Sequence, residues 1–507
     1  MYPIHFFHRA ARLWPDHVAV EHGDDALTYG ELHAKVRALA TGLQRMDPES
    51  GSRVGICCYN TIDHLVCWLA VLAAGKVWVP LQPMNATTEL VRAVAFTRAS
   101  IVIVQQDTAE KLIEAETTLL YSDPEGGEGT TGALYRDHAG QAPAEADLPL
   151  SATQAIKFTG GTTGLPKGVM QPYRAWNTNI ATQVAAWSLG EGQRYLAAAP
   201  ITHGTSTYIL PTLATGGTLV LLDRPRPEQT LDFLQNARIT TTFVPPTVLY
   251  MLMELENVRN ADYAHLKNLI YGAGPMRPDA IGRAQDIFGP CLASTYGQTE
   301  APQIATMISA EELKDPAKRA SVGRETFLSR VEIMDDKGNL LPAGETGEIV
   351  IRGDLLMTGY WDQPDITART LIDGWLHTGD LGQKDEDGYL FIRGRAKEMI
   401  ITGGFNVYPA DVETIMGEHP EIIDCAVYGV PDDKWGEAVH AAVQVRDANA
   451  VSGDEIIAFI RERLGPVHTP KSVNFRDSLP RNAIGKLQKN QLAEEHAAAR
   501  ADELQKG

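Results

Sequence analysis

The apolar residues Leu32, Val36, Leu39 and Leu43 recur at helical spacing behind Thr28 and Glu31. A Thr followed three residues later by Glu satisfies two free backbone N–H groups reciprocally, so this stretch predicts an amphipathic surface helix. Short β-rich runs then alternate with helical patterns: strands over 53–59, 77–81 and 101–104, helices over 63–74 and 89–97. Such alternation predicts an α/β fold with a largely parallel sheet. From 114 to 147 the pattern dissolves into Gly, Glu, Thr and Ala with no apolar period, which predicts a surface excursion. Strands resume at 218–222, 240–244 and 269–271. The runs 331–333 and 348–352, separated by Asp336, Lys337 and Gly338, predict hairpin-joined strands in a small β subdomain near 320–393. After Gly394 and Arg395 come a strand over 399–402, a helix from Pro409, strands over 427–430 and 438–445, and a helix from Gly453. That is the size of one small domain able to move as a unit.

At 507 residues the chain exceeds the roughly 250–300 residues at which one core stops growing, so at least two domains are expected. With 44% hydrophobic and 21% charged residues, it reads as a folded soluble enzyme or binding protein. A formal net charge of -19 argues against a nucleic-acid binder, which needs a basic field. The apolar run 65–74 stops at Gly75 and Lys76, well short of the ~20 residues that span a bilayer. Residues 1–9 lack the basic start and long apolar stretch of a secretory signal. The five cysteines, Cys57, Cys58, Cys67, Cys291 and Cys425, are scattered without paired metal spacing, as expected of reduced core residues in a cytoplasmic protein.

The strongest local signal runs from Phe158 to Gly168, as Phe-Thr-Gly-Gly-Thr-Thr-Gly-Leu-Pro-Lys-Gly, directly after the apolar Ala155 and Ile156. Glycines let the backbone turn tightly and present N–H groups, threonines add hydroxyls, and Lys167 adds a mobile charge. Those are parts for holding a polyphosphate. The run departs from the P-loop of kinase-like ATPases, because Pro166 precedes Lys167 and Gly168 stands where a metal-binding Ser or Thr would be. A flexible hairpin loop is the competing reading.

Five further runs follow: Tyr271-Gly272-Ala273-Gly274-Pro275 with Ser294 to Glu300; His377-Thr378-Gly379-Asp380; Gly394 to Glu398; Gly403-Gly404-Phe405-Asn406-Val407-Tyr408-Pro409; and Pro480 to Lys486. Together and in this order they resemble the motifs of the acyl-adenylate-forming superfamily, which holds acyl-CoA synthetases, adenylation domains of peptide synthetases, and luciferases. The resemblance covers essentially the whole chain. It implies a large N-terminal part of two α/β sheets plus a small β-barrel-like subdomain over 1–394, a hinge at 395–397, and a small mobile α+β C-terminal domain over 398–507. It also implies ATP, Mg2+ and coenzyme A as the small molecules used.

The resemblance assigns roles residue by residue. Thr159, Gly160, Gly161, Thr162, Thr163, Gly164 and Lys167 would wrap the β- and γ-phosphates. Glu300, with Thr159, would hold magnesium, a hard cation suited to oxygen ligands, and Thr299 would stand beside it in catalysis. Tyr296 would stack on adenine, with Gly272, Ala273 and Gly274 lining the ring and Gly297, Gln298 and Ile392 nearby. Asp380 would accept from the ribose hydroxyls, with Arg395 as a further contact. Lys486 would neutralise charge on the reacting phosphoryl group. Lys397 falls at the hinge, and Gly403 with Gly404 would line a tunnel for a thiol arm.

The acyl site would be lined by His203, Gly204, Thr205, Ser206, Thr207, Val244, Thr247, Tyr250, Met251, Gly272, Gln298 and Thr306. No arginine occurs over 244–253, which disfavours a second carboxylate, and no Asp opens that helix to hold an α-ammonium. An aryl, arylpropenoic or medium-chain aliphatic monocarboxylate is expected. The leading function is therefore an acid:CoA ligase acting on a small carboxylic acid, without integral membrane association and with a homodimer left open. Its alternatives are a stand-alone ligase that loads a carrier-protein phosphopantetheine, a luciferase-type oxidation, and a non-catalytic nucleotide-binding protein.

Overall fold

The computed structural model describes residues 1–507 other than 160–166, 433, 448–449, 482–486 and 507, with the backbone alone for 500–506. Among these residues the strands form four sheets. A seven-stranded sheet carries Arg53–Cys57, Val77–Pro80, Ile101–Val104 and Thr153–Thr159 in parallel, with Lys167–Pro172 antiparallel at one side. A nine-stranded sheet has a parallel centre of Thr218–Leu221, Arg194–Ala197, Thr241–Val244, Asn268–Tyr271 and Leu292–Tyr296. A third, antiparallel sheet is built from Arg330–Met334, Gly347–Arg352, Trp375–Lys384 and Leu390–Arg395. The last, over residues 400–475, pairs Ile422–Asp432 with Gly436–Val445 and takes Ile400–Thr402, Phe405–Val407 and Val473–Phe475 on its flanks.

The two large sheets share one core. Val54 and Ile56 of the first sheet and Ala197 and Leu219 of the second belong to the same buried cluster. The helix Ile62–Ala73 explains the apolar run of the sequence: Leu65 to Val71 are all fully buried. A helix apolar all round belongs between layers rather than on a surface. The helix Tyr29–Met46 begins at Thr28 with the expected reciprocal cap. No helix among the described residues is long and apolar enough to cross a membrane, and the five cysteines are unpaired.

One expectation is overturned. Within 114–147 the chain adds a parallel strand, Thr118–Tyr121, beside Ile101–Val104, and a helix, Thr131–Asp137, capped by the Thr130 hydroxyl. The strand is four residues long, with Leu120 at 2% exposure and Leu119 and Tyr121 partly buried against the neighbouring cluster, too short a run to show a period. Polar bonds hold the segment instead: the Asp63 carboxylate accepts from Ser122 Oγ at 2.5 Å, Thr131 Oγ1 at 3.0 Å and the Tyr135 hydroxyl.

Candidate active site

The phosphate motif is a hairpin. Thr159 and Lys167 face each other at the ends of the antiparallel strands Thr153–Thr159 and Lys167–Pro172. Gly160, Gly161, Thr162, Thr163 and Gly164 lie outside the described residues. Lys167 Nζ sits 5.2 Å from the centre of the Tyr360 ring, and the Tyr360 hydroxyl donates to Glu300 Oε1 at 2.8 Å. The Thr299 carbonyl accepts from Gln171 Nε2 at 2.8 Å, and the Glu300 carbonyl from the Met357 N–H at 2.8 Å. Strand, loop stem, Thr299 and Glu300 are thus brought together. Among the described residues no three His, Cys, Asp or Glu side chains converge. A donor set limited to Glu300 and Thr159 fits a magnesium ion carried mainly by substrate phosphates and water, not an all-protein cage.

A second cluster surrounds Asp380. Pairing of Trp375–Lys384 with Leu390–Arg395 sets Arg395 opposite Asp380, and Arg395 Nε lies 2.8 Å from Asp380 Oδ1. Asp380 Oδ2 accepts from the Tyr296 hydroxyl at 2.8 Å and from Gln298 Nε2 at 2.6 Å, while Gln298 also donates to the Thr378 carbonyl at 3.0 Å. A carboxylate only 4% exposed is tolerable because a guanidinium and two neutral donors replace its water. Burial, reinforced by Asp380, keeps the Tyr296 phenol protonated well above its usual range, so it serves as a donor. Ile392 packs against the apolar group that contains Tyr296.

The glycine run lies alongside. A Cβ on Gly272 would stand 2.8 Å from the Thr295 carbonyl oxygen, so no other residue fits there without displacement. Ala273, next to it, is held at φ +66. A non-glycine residue in the left-handed region stores strain that surrounding structure must impose, a frequent mark of ligand sites.

The acyl segment forms a widened turn over Ile201–Thr205 in which His203 leaves helical geometry, at φ -112 and ψ -142. Its Nδ1 lies 2.8 Å from Thr202 Oγ1. Burial, and then the nearby Lys157 ammonium, push the imidazole down to about 4, so it is neutral at pH 7. Thr205 and Thr207 are buried, the latter donating to the Gly204 carbonyl at 2.6 Å. A Cβ on Gly204 would meet Phe243 at 3.0 Å, and one on Gly272 would meet the same ring at 3.3 Å. Phe243 therefore touches both the acyl turn and the glycine run. Its ring stacks on Tyr208 at 5.2 Å, and Tyr208 on Tyr195 at 5.4 Å.

Other expected residues stand at different depths. Thr247 and Tyr250 lie on the helix Pro246–Met253, the Tyr250 hydroxyl accepting from the Arg277 N–H at 3.3 Å, whereas Met251 is exposed. Thr306 is fully buried beside Tyr296 in the sheet, and its hydroxyl donates to the Val322 carbonyl. Phe243, Tyr360, Gln303 and Lys157 were not singled out by motif. Gln303 is held at φ +72 and donates to the Tyr208 hydroxyl at 3.1 Å. Lys157 carried a readable signal, a lysine inside an apolar β run.

The C-terminal sheet offers two faces. Gly403 and Gly404, at φ +57 and +84, form the tight turn between Ile400–Thr402 and Phe405–Val407. Gly404 has open space around it, and Phe405 is 60% exposed. Lys397 is exposed on the single turn Ala396–Glu398. On the other face the helix Pro409–Met416 pairs Asp411 with Arg393 at 2.9 Å, and Gly417 abuts Arg277. Lys486 lies outside the described residues, but its flanks are fixed on this face: Arg481 bridges Leu487 and Lys489 pairs with Glu413 at 2.6 Å.

Residues 7–361 match the AMP-binding enzyme family and residues 411–486 the AMP-binding enzyme C-terminal domain. A feruloyl-CoA synthase of Amycolatopsis sp is 35% identical over 486 residues, covering 96% of this chain and 97% of that protein. A medium/long-chain-fatty-acid–CoA ligase of Mycobacterium tuberculosis is 34% identical over 490 residues, covering 92% and 85%. The solved structure of the amide bond synthetase McbA from Marinactinospora thermotolerans superposes with a TM-score of 0.89 at 32% identity, covering 97% of this chain and 99% of that one. With the compensated carboxylate, the glycine run and the phosphate hairpin assembled on one fold, the chain belongs to the AMP-binding enzyme family, in its acid–thiol ligase branch.

Proposed function

We propose that the protein is an ATP-dependent acid:CoA ligase whose substrate is an aryl, arylpropenoic or medium-chain aliphatic monocarboxylate. In the first half-reaction the acid's carboxylate oxygen bonds to the α-phosphorus of ATP as the bond to the β-phosphate oxygen breaks, giving acyl-AMP and pyrophosphate. In the second, the CoA sulfur bonds to the acyl carbon, AMP leaves, and the thiol proton passes to solvent. Asp380 and Arg395 hold the ribose, Glu300 and Thr159 the magnesium of the nucleotide, and the loop from Thr159 to Lys167 the phosphates. Lys486 neutralises charge on the reacting phosphoryl group. Movement of residues 398–507 about the hinge 395–397 then brings Gly403 and Gly404 to the adenylate, where the absence of side chains admits the thiol arm.

The observation that carries this reading is Phe243, whose ring contacts Gly204 of the acyl turn and Gly272 of the nucleotide run. It sets an apolar aromatic wall where acid and nucleotide must meet, and the stack Tyr195–Tyr208–Phe243 behind it favours a compact or planar acyl group. Relatives named for feruloyl and fatty acyl groups transferred to CoA favour CoA over a carrier protein as acceptor.

The test is acid-dependent pyrophosphate release with ATP and magnesium over a panel of aryl and aliphatic acids, with and without CoA. Acyl-CoA formation from an aryl or medium-chain acid is the expected result. Adenylate that accumulates despite CoA would refute the acceptor, and preference for a dicarboxylate or an amino acid would refute the acid class.

A further inference from the structure

A buried ammonium stands beside the acyl turn. Lys157 is 8% exposed and pairs with no carboxylate among the described residues. Its Nζ donates to Ser206 Oγ at 2.8 Å and to the His203 carbonyl at 3.2 Å, and lies 5.0 and 5.5 Å from the ring centres of Trp78 and Trp176. Ser206 Oγ donates to the same His203 carbonyl at 2.8 Å. Two hydrogen bonds and two aromatic faces replace the water of the charge, at an energetic cost a methionine of similar length would avoid.

The bonds go to one place. His203 is the residue at which the turn Ile201–Thr205 departs from helical geometry. Its carbonyl, held by two side-chain donors, fixes the peptide plane, while Thr202 sets the ring from the other end. Lys157 itself lies two residues before Thr159, on the strand that runs into the phosphate loop. The acyl turn is therefore tied to the same strand that ends at the nucleotide phosphates.

We propose that Lys157 is a positioning residue for the acid: through Ser206 and the His203 carbonyl it clamps the acyl turn to the phosphate-loop strand and sets where the carboxylate stands relative to ATP. The proposal rests on the ligase reading for the identity of that turn as the acyl wall. It assigns the ammonium no contact with substrate.

The clamp is tested without any substrate by amide hydrogen exchange over residues 201–208 in wild type, Lys157→Met and Ser206→Ala. Losing a charge-assisted bond should raise exchange there about tenfold in both variants, with the rest of the two large sheets unchanged. Unchanged exchange in Ser206→Ala, or loosening spread through the whole core, overturns the clamp, and Ser206→Ala keeps this so if Lys157→Met does not fold. In the pyrophosphate assay KM for the acid should rise about tenfold, with KM for ATP and kcat within about twofold, since only the acid's placement is disturbed. Equal rises in both KM values overturn the positioning role. A wild type that activates no acid tells against the ligase reading, while the exchange result still decides the clamp.

Discussion

The nucleotide end and the acyl end of the site each bury one charge, and they compensate it differently. At the nucleotide end the Asp380 carboxylate is met by the Arg395 guanidinium and by the neutral donors Tyr296 and Gln298. At the proposed acyl end the Lys157 ammonium meets, among the described residues, a hydroxyl, a carbonyl and two indole faces. A paired carboxylate has its charge met inside the protein by charge-assisted hydrogen bonds. An unpaired ammonium gives up part of its charge as burial dictates: burial brings Lys157 down from 10.5 to about 7. If the turn Ile201–Thr205 is the acyl wall, as proposed, that wall is aromatic and only partly charged at pH 7.

The contrast can be broken most strongly at the residue that serves the chemistry rather than either wall. Lys486→Ala should cut adenylation by about a hundredfold to a thousandfold while leaving thioester formation from synthetic acyl-AMP intact, and Gly404→Leu should impair the two half-reactions in the opposite sense. Separate assays of pyrophosphate release and of CoA consumption from acyl-AMP check both. Next in size, Asp380→Ala leaves Arg395 without its partner and should lower stability by about 2 kcal/mol, the lower end for a broken pair because Arg395 is about one-third exposed. It should also raise KM for ATP with little change in KM for the acid, as thermal denaturation and kinetics would show. On the acyl side, Phe243→Ala should shift relative kcat/KM toward bulkier acids by about tenfold or more, measured by competition between a short and a long acid.

A further effect concerns pH. A lysine whose folded value lies below its unfolded one binds its proton less readily in the native state, so its own contribution to stability should rise with pH between about 7 and 10.5, while the buried thiols of Cys57 and Cys291, pushed up to about 12, work the other way above about 9. The slope from this group is at most one proton, about 1.4 kcal/mol per pH unit. His203, neutral in the fold above about 4, adds nothing in that window. Lys157→Met should remove this contribution, so the difference in denaturant midpoint between the two proteins should change with pH across that range; a difference independent of pH would overturn the assignment.

Much of the architecture was legible because its elements obey short periods. The capped helix at Thr28 and the strand Ile101–Val104 carry their signals within a few residues. The strand Thr118–Tyr121 did not, since its partner supplies the hydrogen bonds and four residues are too few to show a period. The site divides in the same way. Thr159, Glu300, Asp380 and Arg395 sit in compact runs whose chemistry shows locally. Phe243 and Tyr360 do not, because an aromatic residue in an apolar run looks like any core residue until the fold sets it against a glycine or a carboxylate.

The sequence by itself determined the α/β alternation, the order of the chemical motifs and the reach of each charge along its own segment, all properties of neighbours in the chain. Only the tertiary structure decided that Arg395 would face Asp380 across a strand pair, that one phenylalanine would join Gly204 to Gly272, and that a lysine in an apolar strand would end on the His203 carbonyl. These contacts span tens of residues, and the free energy of a buried charge or a close ring contact depends on what surrounds it in space.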